Sequence, residues 1–182
     1  MALFKKDDPP QAPLPEGYAW RRGSLQLVER FGAFPGDQAA ILAPPTHDPA
    51  PDFAKRLPRI RWLKIHTGPF GSDGDPPADV ETVDCKLLKP PLEPESLDAI
   101  VVVFAVPLLD GREHTKFVEA WSQTLAPLGK WLSLLSLKDS RDPRLQEAEQ
   151  TLKDHGFERV RTNRLPGGGG KSTLAVMSAR MG

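Results

Sequence analysis

The stretch Asp98-Ala-Ile-Val-Val-Val-Phe-Ala-Val106 sets apolar, largely β-branched residues at consecutive positions with no polar alternation. Successive side chains of a strand point to opposite faces, so a run that is apolar on both faces is buried on both. That is the condition of a strand in the middle of a parallel sheet with helices packed on either side. A chain carrying this segment must supply strands to flank it and helices to cover it.

Further strand-length runs meet the first need. Ala39 to Ala43 lies between Pro-Gly-Asp and Pro-Pro. Trp62 to His66 and Val80 to Cys85 read as alternating, with Trp62 and Lys64 assigned to opposite faces. Trp131 to Leu137 ends at Lys138-Asp139. Each run is bounded by turn residues. Helices are predicted between them. Ser24 is placed as the cap of a first helix carrying Leu25, Val28 and Phe31, and a short helix follows the first strand. Phe117, Val118, Trp121 and Leu125 form one stripe from Arg112 to Leu125. Asp142 caps a helix opened by Pro143, with Leu145, Ala148 and Leu152 on one face and Gly156 at its end. Phe157 to Arg164 and Thr173 to Ala179 read as a terminal hairpin around a glycine-rich turn. Strands alternating with helices, closed by a hairpin, predict an α/β fold: a mostly parallel sheet with one antiparallel strand from that hairpin.

Length and charge bound the rest. The 182 residues suit one domain with a substantial core. Lys plus Arg and Asp plus Glu both number 24, so no net charge draws the chain to nucleic acid or to anionic membrane. The single cysteine, Cys85, excludes an internal disulfide and a cysteine metal cluster, and reads as inert. No apolar run is long enough for membrane insertion, and no leader pattern opens the sequence, so a cytoplasmic protein is expected. Four prolines in the first fifteen residues predict a flexible, Pro-rich arm over residues 1–20, followed by the α/β domain over residues 21–182.

Three pieces of the C-terminal half resemble the class I S-adenosylmethionine-dependent methyltransferases. Leu92-Glu-Pro-Glu-Ser-Leu-Asp98-Ala-Ile-Val is similar to their entry into the fourth strand. Leu125-Ala-Pro-Leu128-Gly129-Lys-Trp131-Leu is similar to their step into the fifth. Leu152-Lys-Asp-His-Gly156-Phe157-Glu-Arg-Val160 is similar to their entry into the sixth. The resemblance covers roughly Val80 to Met181 and implies a Rossmann-like methyltransferase sheet.

The N-terminal half departs from that family. There the first strand leads into an acidic residue and a glycine turn that lets the backbone approach the cofactor. Here it runs into Pro44-Pro45-Thr46-His47-Asp48-Pro49, and proline has no N–H to give. The acidic residue at the end of the second strand, which binds the ribose in the family, is replaced by His66-Thr67-Gly68. Only Asp84 matches a position where the family contacts the adenine. His47, Asp48, His66 and Asp84 all fall at the carboxyl ends of predicted strands, the edge where open α/β sheets bind ligands. They are the candidate site, and none is assigned a catalytic role. The four histidines show no metal-ligand spacing.

The run Gly167-Gly168-Gly169-Gly170-Lys171-Ser172 resembles a phosphate loop, but Leu165 stands where that motif needs its first glycine, and no helix follows. Two readings of function remain. The first is a non-catalytic methyltransferase-like domain, with no cofactor, serving as a protein-binding or scaffold subunit. The alternative is an active methyltransferase that binds S-adenosylmethionine through an atypical loop. The segments Gly68 to Pro77 and Lys89 to Pro94 are too rich in Gly and Pro for helices. They leave the second and third strands thinly covered, so an exposed apolar face is expected to meet another protein or a second copy, with Trp62 as the anchor to test.

Overall fold

The computed structural model describes residues 14–32, 36–71, 74–166 and 172–182. The elements run α1 (Gly17–Phe31), β1 (Gln38–Leu42), α2 (Ala50–Arg56), β2 (Arg61–His66), β3 (Val80–Asp84), β4 (Leu97–Val103), α3 (Ala105–Leu108), α4 (Gly111–Ser122), β5 (Leu125–Leu137), α5 (Pro143–Asp154), β6 (Phe157–Pro166) and β7 (Thr173–Met181). They form one seven-stranded sheet in the order β3-β2-β1-β4-β5-β7-β6. β7 pairs antiparallel with both β5 and β6, while all other pairs are parallel. The predicted fold class is what the chain adopts.

β4 lies fourth in this order and is buried on both faces, as its composition demands. Ile100 and Val102 join the core layer that holds α4 and α5. Ala99, Val101 and Val103 join the opposite layer under α1 and α2. Asp98 opens the strand for a structural reason. Its carboxylate accepts the backbone N–H groups of Asp37 at 2.8 Å and Gln38 at 3.0 Å, locking the start of β1 to the start of β4. Gly129 answers to packing in the same region. A Cβ there would lie 2.7 Å from the Ala126 carbonyl oxygen and 3.3 Å from that of Asp98. Asp142 caps α5, accepting the Arg144 N–H at 3.1 Å.

Several boundaries differ from the sequence reading. α1 begins at Gly17, so Ser24 is a buried mid-helix residue rather than a cap, and Gly17 to Trp20 are helical although assigned to the arm. The rest of the arm up to residue 13, and the glycine-rich turn at 167–171, lie outside the described residues. Leu125 starts β5 instead of ending α4. β4 stops at Val103, because Phe104 turns into the left-handed region at φ 60°.

The expected bare face is a second correction. Among the described residues no helix joins β2 to β3 or β3 to β4, as the composition leads one to expect. Short loops do the covering instead. Phe70 is buried with Leu63 and Ile65, and Leu87 and Leu92 pack on the same layer. Trp121 of α4 donates its indole N–H to the Leu87 carbonyl at 2.8 Å, fastening the loop after β3 to the helix. Trp62 turns inward: it is 1% exposed, against the rings of Phe31 and Phe53, and its indole N–H reaches the Leu57 carbonyl. The faces of β2 are closed by the chain's own residues. No helix among the described residues is long and apolar enough to cross a membrane.

Candidate functional site

The carboxyl ends of β1, β2, β3 and β4 lie side by side, so this edge gathers the loops that would hold a ligand. The four predicted site residues all come to it, but they divide into separate arrangements.

His47 turns into the protein. Its Nδ1 bonds the Thr46 hydroxyl at 2.7 Å and its Nε2 the Pro15 carbonyl oxygen at 2.7 Å, which requires the Nε2–H tautomer there. Its ring sits edge-on to Trp20 at 5.0 Å and to Phe104 at 5.4 Å. Trp20 comes from α1 and Phe104 from the end of β4, so three aromatic groups occupy the space beyond β1 and β4 on the α1 side. A fully buried, non-glycine residue at positive φ is strained by about 1–3 kcal/mol and is held there by its surroundings. For Phe104 those surroundings are Trp20, His47 and the Leu134 carbonyl, which accepts its N–H at 2.8 Å.

Asp48 pairs with a residue outside the predicted set. The Lys64 ammonium lies 3.1 Å from the Asp48 carboxylate and 3.4 Å from the Ala43 carbonyl, with its side chain 1% exposed. Burial pushes the Lys64 ammonium below its ordinary value, and the charge of Asp48 and its hydrogen bond oppose that shift. Residues two apart on a strand share a face, so Lys64 lies on the Trp62 side, not opposite it. Asp48 also accepts the Ala50 N–H at 2.9 Å at the start of α2.

The Ala43 carbonyl has a second donor. Gly71, in the loop after β2, gives it a backbone N–H at 2.9 Å. The loop that follows β2 therefore crosses to the end of β1 and is bonded to it.

His66 and Asp84 remain. They are register partners on β2 and β3, with Nδ1 and the carboxylate 3.4 Å apart. The Asp84 side chain is 87% exposed, that of His66 27%. Asp84 thus stands open to a ligand at the outer end of the edge, well separated along the sheet from β4. Cys85 follows it half-buried, and burial pushes its thiol above the ordinary value. Among the described residues no group of three or more His, Cys, Asp or Glu side chains is placed to hold a metal ion.

Sequence reasoning missed Lys64, Phe104, Trp20 and Gly71. For Lys64 the signal was available: it is a lone charge inside the apolar run Trp62-Leu-Lys-Ile65, and period two puts it beside Trp62. For Phe104, no local feature separates the end of a β-branched strand from a left-handed turn.

Solved structures share this architecture. Geranyl diphosphate C-methyltransferase from Streptomyces coelicolor A3(2), solved with Mg2+, geranyl diphosphate and S-adenosyl-L-homocysteine, is 12% identical, with TM-score 0.69 over 89% of this chain and 77% of that one. A SAM-dependent methyltransferase from Aquifex aeolicus is 16% identical, with TM-score 0.63 over 87% and 89%. The [4+2]-cyclase SpnF is 14% identical, with TM-score 0.69 over 88% and 80%. No protein-family model and no curated protein sequence matches the chain. At such identities the likeness defines the fold alone. The chain has the fold of the class I S-adenosylmethionine-dependent methyltransferases, an architecture that also carries a cyclase.

Proposed function

We propose that this domain keeps the methyltransferase architecture without methyl-transfer chemistry, binds no S-adenosylmethionine, and acts as a protein-binding or scaffold subunit. One observation carries the reading: the closed end of β1. A cofactor held by this fold needs backbone N–H groups and close approach just after that strand. Pro44 and Pro45 offer no N–H, and the Ala43 carbonyl is engaged by Gly71 and Lys64. The His47, Trp20 and Phe104 rings fill the adjoining space. The partner does not dock on a bare β2 face, because that face is covered; the scaffold role rests on the loss of chemistry rather than on an exposed patch.

A second reading has its own support. Solved neighbours of this fold hold S-adenosylmethionine or S-adenosylhomocysteine, and Asp84, which the sequence resemblance matches to an adenine contact, is exposed. Under it, the β1 loop would open to admit the cofactor. Equilibrium dialysis against labelled S-adenosylmethionine, beside a native mass measurement of the assembly isolated from its own cells, separates the two. No retained label together with a heteromeric mass supports the first reading. Saturable retention, weakened by Asp84→Ala, supports the second.

A further inference from the structure

Away from the closed strand edge, α4 and α5 enclose a groove of about 410 Å³, within the range of small-molecule sites. Val106 and Leu109 lie on one side of it and Ala148 on the other, all at least nine-tenths buried, so the floor is apolar and shut. His114 opens onto the same space. It is 8% exposed, its ring makes no hydrogen bond to any described residue, and its nitrogens are not among the sealed polar atoms, so the polar edge of the ring meets the groove.

The body of the ring is buried while its nitrogens stay accessible, so a guest in the groove can bond them in place of water. The core around α4 would accept an apolar side chain at this position, since Phe117, Val118 and Trp121 already fill the layer. Burial holds the His114 ring neutral, lowering it to about 4. A neutral imidazole presents one N–H donor and one bare nitrogen acceptor, and a hydroxyl group complements either.

The rim sets the charge of the guest. Arg144 is on the rim, but Asp142 holds its guanidinium in a two-pronged pair at 2.5–3.1 Å. Glu147 and Asp154, both exposed, add two carboxylates, and among the described residues no further cation lines the groove. An anionic guest meets net repulsion here.

We propose that the groove between α4 and α5 binds a small, mainly apolar molecule that bears a hydroxyl group for His114 and carries no negative charge. The site is independent of the reading given to the β1 edge and stands whether or not that edge binds a cofactor.

The test uses the full chain and three probes of one shape: p-cresol, tyramine and 4-hydroxyphenylacetate, titrated to millimolar concentration by protein-observed NMR. The expected result is a saturable shift of the His114 ring, Ala148 and Thr151 signals with p-cresol and tyramine. 4-Hydroxyphenylacetate should bind about tenfold more weakly or not at all, a difference of about 1.4 kcal/mol. His114→Phe should weaken p-cresol about tenfold. If that variant fails to fold, Thr115→Trp, at an exposed rim position, should block both phenols instead. Absence of shifts with all three probes overturns the proposal. So does equal binding of the anion, or p-cresol binding that survives the groove-filling variant.

Discussion

At the scale of single residues, two buried polar groups give the sharpest expectations. Removing Asp48 strands the Lys64 ammonium, which is 1% exposed, without its counter-charge. Breaking a buried pair typically costs 3–5 kcal/mol, and the 20% exposure of Asp48 puts this case near the low end. Asp48→Ala should therefore lose about 3 kcal/mol in urea unfolding, whereas Lys64→Met, which removes the charge itself, should lose much less. Equal losses would show that the pair is not coupled. His114 supplies a pH signature. Its folded value is about 4 against 6.5 for the free group, so the unfolded chain binds the proton more readily. Stability is then full above about pH 6.5 and falls as pH drops toward 4, by about 3 kcal/mol in total. His114→Phe should flatten this limb. The limb set by Asp142, which Arg144 holds down at about 2, lies further toward acid and should persist.

At the scale of elements, what was legible followed from patterns that local chemistry enforces. The β4 run was readable because apolar residues on both strand faces admit only a sandwiched position. The Asp142–Pro143 start and Gly156 stop of α5 were readable because capping is local. The Pro44-Pro45 loop was legible as a strand exit with no backbone N–H at those two positions. What fills that loop was not, since Trp20 reaches His47 and Gly71 reaches Ala43 only through the tertiary fold. The covering of β2 failed for a related reason: lack of helix-forming residues was read as lack of cover, but Phe70 and Leu87 cover the strand from loops. This assigns Trp62 to the core. Trp62→Ala should cost about 3–5 kcal/mol of folding stability, the usual range for a buried aromatic, with no separate effect on association. A loss of partner binding at unchanged stability would restore the interface reading. Gly129→Ala tests the turn into β5, where the added Cβ meets backbone oxygen at 2.7 Å; a loss of about 1–3 kcal/mol is expected by thermal unfolding.

At the scale of the whole molecule, the architecture is common to the fold and the ligand edge is where the proposed reading departs from it. The sheet, the antiparallel β7 and the helices on both faces are those of a methyltransferase. The edge at β1 carries a backbone bond, a buried ion pair and packed aromatic rings, while Asp84 is exposed at the end of β3. One fold can carry different functions, so the function of this chain has to be read from its strand-end site. Isothermal titration of the native chain with S-adenosylhomocysteine tests the proposed reading most directly, since the demethylated product binds without turnover. The account predicts no heat of binding up to millimolar ligand. A dissociation constant in the low micromolar range, about −8 kcal/mol, would contradict it and mean that the β1 edge opens.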